Sequence, residues 1–438
     1  MRSDAPRPTV WVREAVRASV PSGLAALALA LGACGPREAP PAAAPTASKL
    51  ALGPIRTVAA PVGAESTEPK IARGPDGSLV LSWLEPVGDL GDYALKYSRW
   101  TGRQWGAAAV AARGGNWYVN AADIPAVQPL GAQLWAAHWR VAQENDFAYD
   151  IMISVSADAG ATWSEPHLLN DDGTKTEHGF VSLVPWGGDV GAIWLDGRET
   201  AGEEGEIARD TDAAPRGTTL RFARLGRDGA VLEQAVIDRL VCDCCTTNVA
   251  STADGVALVY RDRTPEEIRD VVVLRARAGA WSEPVQAGAD HWRIEGCPVN
   301  GPAIAALGAN VAVAWFTAPD GRARVRLAFS SDGAATFAPA LDIDKEGPHG
   351  LVGVALADER TAFVSWWRRG AKGGADLAVR GATSGGELGP VTVVATSASS
   401  HPDDVPQVAR SGAQLLVAWT DKSGADSVRT AVAELGGR

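Results

Sequence analysis

From residue 50 onward, one pattern of apolar and polar positions recurs seven times. Its clearest part is a short, β-branched apolar run that ends on an aromatic residue. The seven copies are LVLSWLE (79–85), LWAAHWR (134–140), GAIWLDG (191–197), VALVYRD (256–262), VAVAWFT (311–317), AFVSWWR (362–368) and LLVAWTD (415–421). Their markers, Trp83, Trp139, Trp194, Tyr260, Trp315, Trp366 and Trp419, follow one another at intervals of 51 to 66 residues. About a dozen residues before each lies another apolar run, such as PAIAAL (302–307) or VPQVAR (405–410). A polar loop and an alternating run follow, such as YDIMISVS (149–156) or ARVRLAFS (323–330). Most units then carry a fourth short run, such as SEPHLL (164–169) or APALDI (338–343). Period-two alternation punctuated by turns predicts strands. Four strands in roughly fifty residues predict an all-β chain, a β-propeller of four-stranded blades. The seventh unit lacks its fourth strand, and PIRTVAA (54–60) precedes the first unit without a partner. Pairing the two would close a seven-bladed ring and hide two sheet edges. Six blades with one irregular unit is the alternative.

The first fifty residues follow a different pattern. Arg2, Arg7, Arg13 and Arg17 precede the apolar run GLAALALALGAC (23–34), which is too short to span a bilayer and fits a signal-peptide core. Its end, Leu31-Gly32-Ala33-Cys34, resembles the bacterial lipoprotein cleavage box. The resemblance implies cleavage before Cys34 and lipidation of its thiol. Gly35 at the next position implies the outer membrane, on its periplasmic or its surface side. The chain therefore divides into a lipoprotein signal peptide (1–33), an Ala/Pro-rich tether (34–50) and a propeller domain (51–438). The expected partner of the anchor is a lipid bilayer. The formal net charge of −11 argues against a nucleic-acid-binding surface.

The octapeptide SADAGATW (156–163) falls at the turn from the third to the fourth strand of the second unit, and SSDGAATF (330–337) occupies the same place in the fifth. Ser156, Asp158, Gly160, Thr162 and Trp163, with Ser330, Asp332, Thr336 and Phe337, match the Asp-box or BNR repeat of sialidase-like propellers. The physics of such a turn is structural. Its Asp accepts turn amides, its Gly takes a positive φ and its aromatic residue packs between strands. The resemblance implies a sialidase-like propeller with its site on the face opposite these turns. It also implies three substrate-binding arginines and a Tyr nucleophile from a late blade. The chain departs from that pattern. Thr67 stands where the first arginine belongs, and none of the five Tyr lies in the last three units. A standard sialidase is not expected, and whether the chain is an enzyme stays open.

Other cations remain for an anionic ligand. Arg140, Arg198, Arg261, Arg263 and Arg368 fall in or beside the loops after the aromatic-ended strands and could clamp a carboxylate. The alternative is that pairs such as Asp196/Arg198 and Asp262/Arg263 knit neighbouring loops. Asp123, Asp404 and Glu199 are the candidate catalytic carboxylates, because glycoside hydrolysis needs two facing the ligand. Trp117, Tyr118, Trp292 and Trp367 could stack on sugars or simply pack. Binding, with or without hydrolysis, of a carbohydrate or other anionic small ligand at the axial face is the first functional expectation.

Four cysteines remain beside Cys34. VCDCCTTNVAS (241–251) holds Cys242, Cys244 and Cys245, and EGCPVNGPAIA (295–305) holds Cys297. Both segments lead into the innermost strands of adjacent units, and His349 and His401 occupy similar places in others. Three readings compete. Two disulfides suit an exported protein, and a bridge to Cys297 would staple two blades. Thiolates and imidazoles could instead bind zinc or copper. A reactive thiol, with Cys245 or Cys297 as candidate, is the third. The metal reading carries a second functional expectation, a non-catalytic envelope propeller that binds metal or a partner protein. The long acidic insertion at 195–217 would then serve as a lid or a partner-binding loop.

Overall fold

The computed structural model describes residues 49–436 except 89–90, 144–147, 202–215, 372 and 403. The proposed signal peptide, Cys34 and nearly all of the tether lie outside the described residues, as does most of the 195–217 insertion. The chain forms seven antiparallel sheets, each built on a path of four neighbouring strands, and is a seven-bladed β-propeller. The first, innermost strands are Thr67–Arg73, Ala126–Pro129, His178–Trp186, Asn248–Thr252, Ala303–Leu307, Pro348–Leu356 and Gln407–Ser411. Arg56–Val58 pairs with Thr430–Val432 and supplies the outer strand of the seventh blade, so the ring closes as the unmatched segment predicts.

The repeated apolar run is the second strand of every blade, and the scarcity of polar residues in it has a simple cause. Each blade is packed on both faces. Seven hydrophobic clusters hold the domain together, and each draws its residues from two neighbouring blades. In the strand Leu79–Pro86, Leu79, Leu81 and Trp83 pack toward the seventh blade while Val80 and Leu84 pack toward the second. Successive side chains point to opposite faces, so both sets must be apolar. The outermost strands meet solvent, and Val231–Asp238 contains no buried residue.

In five of the seven blades the aromatic that ends the run carries a polar atom into this dry interior, and a carboxylate receives it. Trp83 Nε1 donates to Glu85 at 2.7 Å, Trp194 to Asp196 at 2.8 Å, Trp315 to Asp290 at 2.7 Å and Trp366 to Asp344 at 2.8 Å. The Tyr260 hydroxyl donates to Asp238 at 2.6 Å. Lys96, Arg198, Arg326 and Arg368 then pair with four of these carboxylates.

Strand register fixes the two ends of the ring. In the second blade Pro129 pairs with Trp135, and Trp135 with Ser156, so the octapeptide turn sits where the first strand finishes. Asp123, which precedes the first strand, sits at the opposite end. In the turn, Ser156 Oγ donates to Asp158 and accepts the Gly160 amide, and Asp158 accepts both the amide and the hydroxyl of Thr162. The second copy repeats these bonds with Ser330, Asp332, Ala334 and Thr336, although Ala334 must take φ +66° where Gly160 takes +86°. Hydrogen bonds from Thr162 hold the Asp158 carboxyl down at about 2. Both octapeptides therefore shape turns on the face away from the lead-in loops.

Candidate functional site

The first strands of all seven blades line an axial cavity of about 390 Å³. Small residues dominate its wall, and its charged lining includes Lys70, Arg73, Asp123 and Arg410. At the lead-in end, between the first and second blades, the fold buries a cluster of charges. It starts from a backbone irregularity. Thr67 pairs with Leu84 and Lys70 with Ser82, so the first strand carries one extra residue, a β-bulge. Glu68 sits in it at φ +52°. The third and sixth blades carry the same one-residue bulge, with Phe180 at +56° and Leu351 at +55°. Two bulges hold apolar residues, whereas the first holds a carboxylate.

Glu68 faces Arg140, from the second strand of the neighbouring blade. Arg140 Nη2 lies 3.5 Å from Glu68 Oε2, and Arg140 Nη1 lies 3.1 Å from Asp123 Oδ2. All three residues are at most 2% exposed. The guanidinium also lies 5.6 and 6.0 Å from the rings of Tyr118 and Tyr149, which stack on each other at 4.3 Å. The backbone N–H groups of Asn120 and Phe180 also turn toward the carboxylates. No polar atom of the three charged side chains nevertheless has a well-aligned hydrogen bond. Buried polar atoms left this way are rare and call for an explanation.

Burial dominates the titration of this cluster. It pushes Glu68 from the ordinary 4.5 up to about 8, against the pull of Arg140, and it also raises Asp123. At neutral pH the cluster thus holds Glu68 as a protonated acid, while the charge of Arg140 opposes the rise at both carboxyls. Burial, with the charges of Asp243 and Asp123, takes Glu177 up to about 7. Burial also keeps Tyr149 well above its usual value, so its phenol stays protonated. Two neighbours complete the polar file. His138 is buried and neutral, pushed down to about 3 by burial and by the charges of Arg140 and Lys70. Lys70 keeps some surface inside the cavity although protein surrounds it, and burial lowers its ammonium to about 8.

Two expectations follow here. A carboxyl whose folded value lies above 4.5 stabilises the fold fully below that pH, and the contribution disappears as pH rises through about 8. Denaturant unfolding across that window should show a Glu68-dependent fall of up to about 1.4 kcal/mol per pH unit. Glu68→Gln should abolish that component, and equal pH slopes for variant and wild type would refute it. Second, Gly179 leaves room for the cluster, because a Cβ there would stand 2.0 Å from Asp123 Oδ2 and 3.0 Å from Tyr149. Gly179→Ala should destabilise the protein by about 1–3 kcal/mol, the cost of overpacking. Calorimetric melting checks this.

The remaining sequence candidates lie elsewhere and have partners. Every guanidinium nitrogen of Arg261 donates to a backbone carbonyl, of Asn300, Arg269 or Phe316, which ties the fourth blade to the fifth. Arg263 pairs with Glu267, not with the Asp262 carboxylate, which instead accepts the Arg263 amide. Arg198 chelates Asp196 and approaches Asp172 at 3.3 Å, and Arg368 lies 3.7 Å from Asp344 and from Glu346. Asp404 accepts the Thr420 amide, and its carbonyl accepts Trp367 Nε1. Glu199 is half exposed and 3.7 Å from Arg221. Trp117 stacks on Trp139, and Trp292 packs against Phe316 and Arg261. Of the proposed residues, then, the structure brings Asp123 and Arg140 together, with Asp123 in the wall of the axial cavity and Arg140 buried behind it, and it adds Glu68.

The cysteines form a second group on the same face. Cys244 and Cys297 are joined by a disulfide that staples the fourth blade's lead-in loop to the fifth's. Cys242 and Cys245 are free thiols, each 1% exposed, with sulfurs 3.2 Å apart. One bridge and one dithiol therefore stand where two disulfides were one expectation. His349 and His401 face each other at 5.5 Å, a separate pair. Burial would raise the Cys242 thiol, but a hydrogen bond from Cys245 and the charges of Arg261 and Arg269 outweigh it and bring it to about 6. The activated sulfur is thus Cys242, which the sequence reading did not single out.

Fold and site together define a seven-bladed β-propeller with a buried carboxylate–arginine cluster at one axial end. Searched as a sequence, the chain matches no protein-family model and no curated protein. Solved structures do resemble it. An ulvan lyase of the polysaccharide lyase family PL25, bound to -[GlcA(1-4)Rha3S]-, is 11% identical over 87% of this chain and 98% of its own, with a TM-score of 0.52. The BP39L lectin from Burkholderia pseudomallei is 13% identical over 86% and 98%, with a TM-score of 0.51. A Hadza microbial sialidase, Hz136, is 19% identical over 69% of this chain and 63% of its own, with a TM-score of 0.41. At these identities the likeness establishes the propeller fold alone.

Proposed function

We propose that this chain is an envelope lipoprotein, anchored through Cys34, whose propeller binds and hydrolyses an anionic carbohydrate at the axial end formed by its first three blades. The observation that carries this reading is the buried cluster of Glu68, Asp123 and Arg140, in which Asp123 lines the axial cavity. A carboxylic acid that stays protonated near neutral pH can give its proton to a leaving-group oxygen, and a nearby ionised carboxylate can stabilise the positive charge that develops or activate water. The roles fall to Glu68 as acid and Asp123 as anion. Arg140 faces both carboxyls and favours their ionised forms. The cavity volume lies within the usual range of small-ligand sites. The lectin and the ulvan lyase that share the fold support carbohydrate as the ligand class. Among the described residues no helix is long and apolar enough to cross a membrane.

The test uses the full chain with Cys34→Ser and a panel of sialylated and uronic-acid oligosaccharides, read by calorimetry and by reducing-end release. Glu68→Gln should leave binding in place and lower turnover about 10²–10⁴-fold. Absence of binding to the whole panel, or turnover unchanged in Glu68→Gln, would overturn the reading.

A further inference from the structure

The Cys242–Cys245 pair has the spacing Cys-x-x-Cys, and both sulfurs lie in the interior. The bridge beside it is placed differently. Cys244 is half-buried and Cys297 is exposed to solvent. Cys242 Sγ stands between the two systems, 3.2 Å from Cys245 Sγ and 4.0 Å from Cys244 Sγ. Arg269 Nη1 lies 3.4 Å from the same sulfur and is itself held by Glu267 and Asp243. An arginine at that distance favours the thiolate, which is the nucleophile in disulfide exchange. Two of the three sulfurs that could gather round a metal are free, because Cys244 is committed to the bridge.

We propose that these four cysteines form a thiol–disulfide exchange site, in which the exposed Cys244–Cys297 bridge trades electrons with the buried Cys242/Cys245 dithiol. In the first step the Cys242 thiolate attacks Cys244 Sγ. A Cys242–Cys244 bond forms, the Cys244–Cys297 bond breaks, and Cys297 leaves with the electron pair and takes up a proton. In the second step Cys245 loses its proton and attacks Cys242 Sγ. The Cys242–Cys245 bond forms, and Cys244 leaves as the thiolate that accepts that proton. One disulfide and two thiols exist before and after, so no outside oxidant is needed. The exchange frees the fifth blade's lead-in segment from the fourth blade and presents Cys297 as a solvent-facing thiol. A dithiol protein meeting the exposed Cys297 sulfur would be the external electron donor.

The test is disulfide mapping on the full Cys34→Ser chain, isolated with one disulfide per molecule, held in acid and then released to neutral pH without added reductant. Acid quenching, alkylation and peptide mass spectrometry follow at successive times. In the otherwise wild-type chain, alkylated Cys297 should appear together with a Cys242–Cys244 or Cys242–Cys245 linkage, and the ratio of linkages should reach a constant value. Cys245→Ser should accumulate the Cys242–Cys244 intermediate severalfold. Cys242→Ser should keep Cys244–Cys297 as its single linkage. A bridge that stays entirely Cys244–Cys297 in the wild-type chain, with Cys242 and Cys245 alkylated throughout, would overturn the proposal. That result needs no variant to fold. Exchange persisting unchanged in a folded Cys242→Ser variant would overturn it equally.

Discussion

Arg140→Met is expected to destabilise the protein by about 3–5 kcal/mol, the range found when one member of a buried ion pair is removed. Arg140 is 1% exposed and stands against two carboxylates that are equally hidden. Methionine matches much of the apolar stem, so packing changes little, and the loss is electrostatic. It leaves Asp123 without its countercharge in a region already raising both carboxyls. Neutralising the orphan should therefore restore much of the loss. Arg140→Met with Asp123→Asn should be more stable than Arg140→Met alone, whereas Asp123→Asn alone should destabilise. Denaturant unfolding of the four proteins gives the coupling energy. A single-variant loss under about 1 kcal/mol, the range of exposed ion pairs, would show that the cluster is solvated and that Glu68 is no buried acid.

The second large effect concerns the Cys244–Cys297 bridge. It closes a segment with a sequence separation of 53 residues, and the chain-entropy relation assigns about 4 kcal/mol to a loop of that length. Cys244→Ser with Cys297→Ser should lose about that much, read as a lowered unfolding midpoint under non-reducing conditions. Replacing both partners also removes the sulfur that Cys242 would attack, so the measured loss belongs to the cross-link alone. Unchanged stability would mean that the hydrophobic cluster between the fourth and fifth blades already holds the two lead-in segments in place.

Much of the architecture was written in the order of residues. Seven apolar runs ending on an aromatic, a first strand before each and an unpartnered PIRTVAA imply seven blades and a closed ring. That works because a blade's pattern is local. The second strand is packed on both faces, so most of its positions are apolar, and the turn residues between strands act over a few positions. That the octapeptide turns and the site lie at opposite ends was implied by the resemblance to the Asp-box, not by the hydrophobic pattern.

The site was only partly legible. Asp123 and Asp404, from the lead-in segments of the second and seventh blades, were named as candidate carboxylates, and Thr67 marked the corresponding place in the first blade. The bulge shifts this by one position. Glu68, beside Thr67, meets Arg140, and the matching residues in the third and sixth blades are Phe180 and Leu351. Asn300 accepts the Leu351 amide, Cys245 is engaged with Cys242, and Asp404 receives the Thr420 amide, so each serves the packing of its own blade or the next. A charged residue in a slot filled elsewhere by Phe and Leu was the available signal, and it needs the bulge to align the slots.

Local pattern, then, determined the strands, their number and the closing of the ring, because each depends on hydrophobic periodicity over a few residues. Tertiary structure alone decided which charges meet. Arg140 and Arg261 follow similar strands, yet one faces two carboxylates and the other three backbone carbonyls. Cys242, Cys244 and Cys245 are sequence neighbours, yet only Cys244 reaches Cys297. Those outcomes rest on how neighbouring blades place side chains from distant parts of the chain, and burial there sets the protonation of the groups brought together.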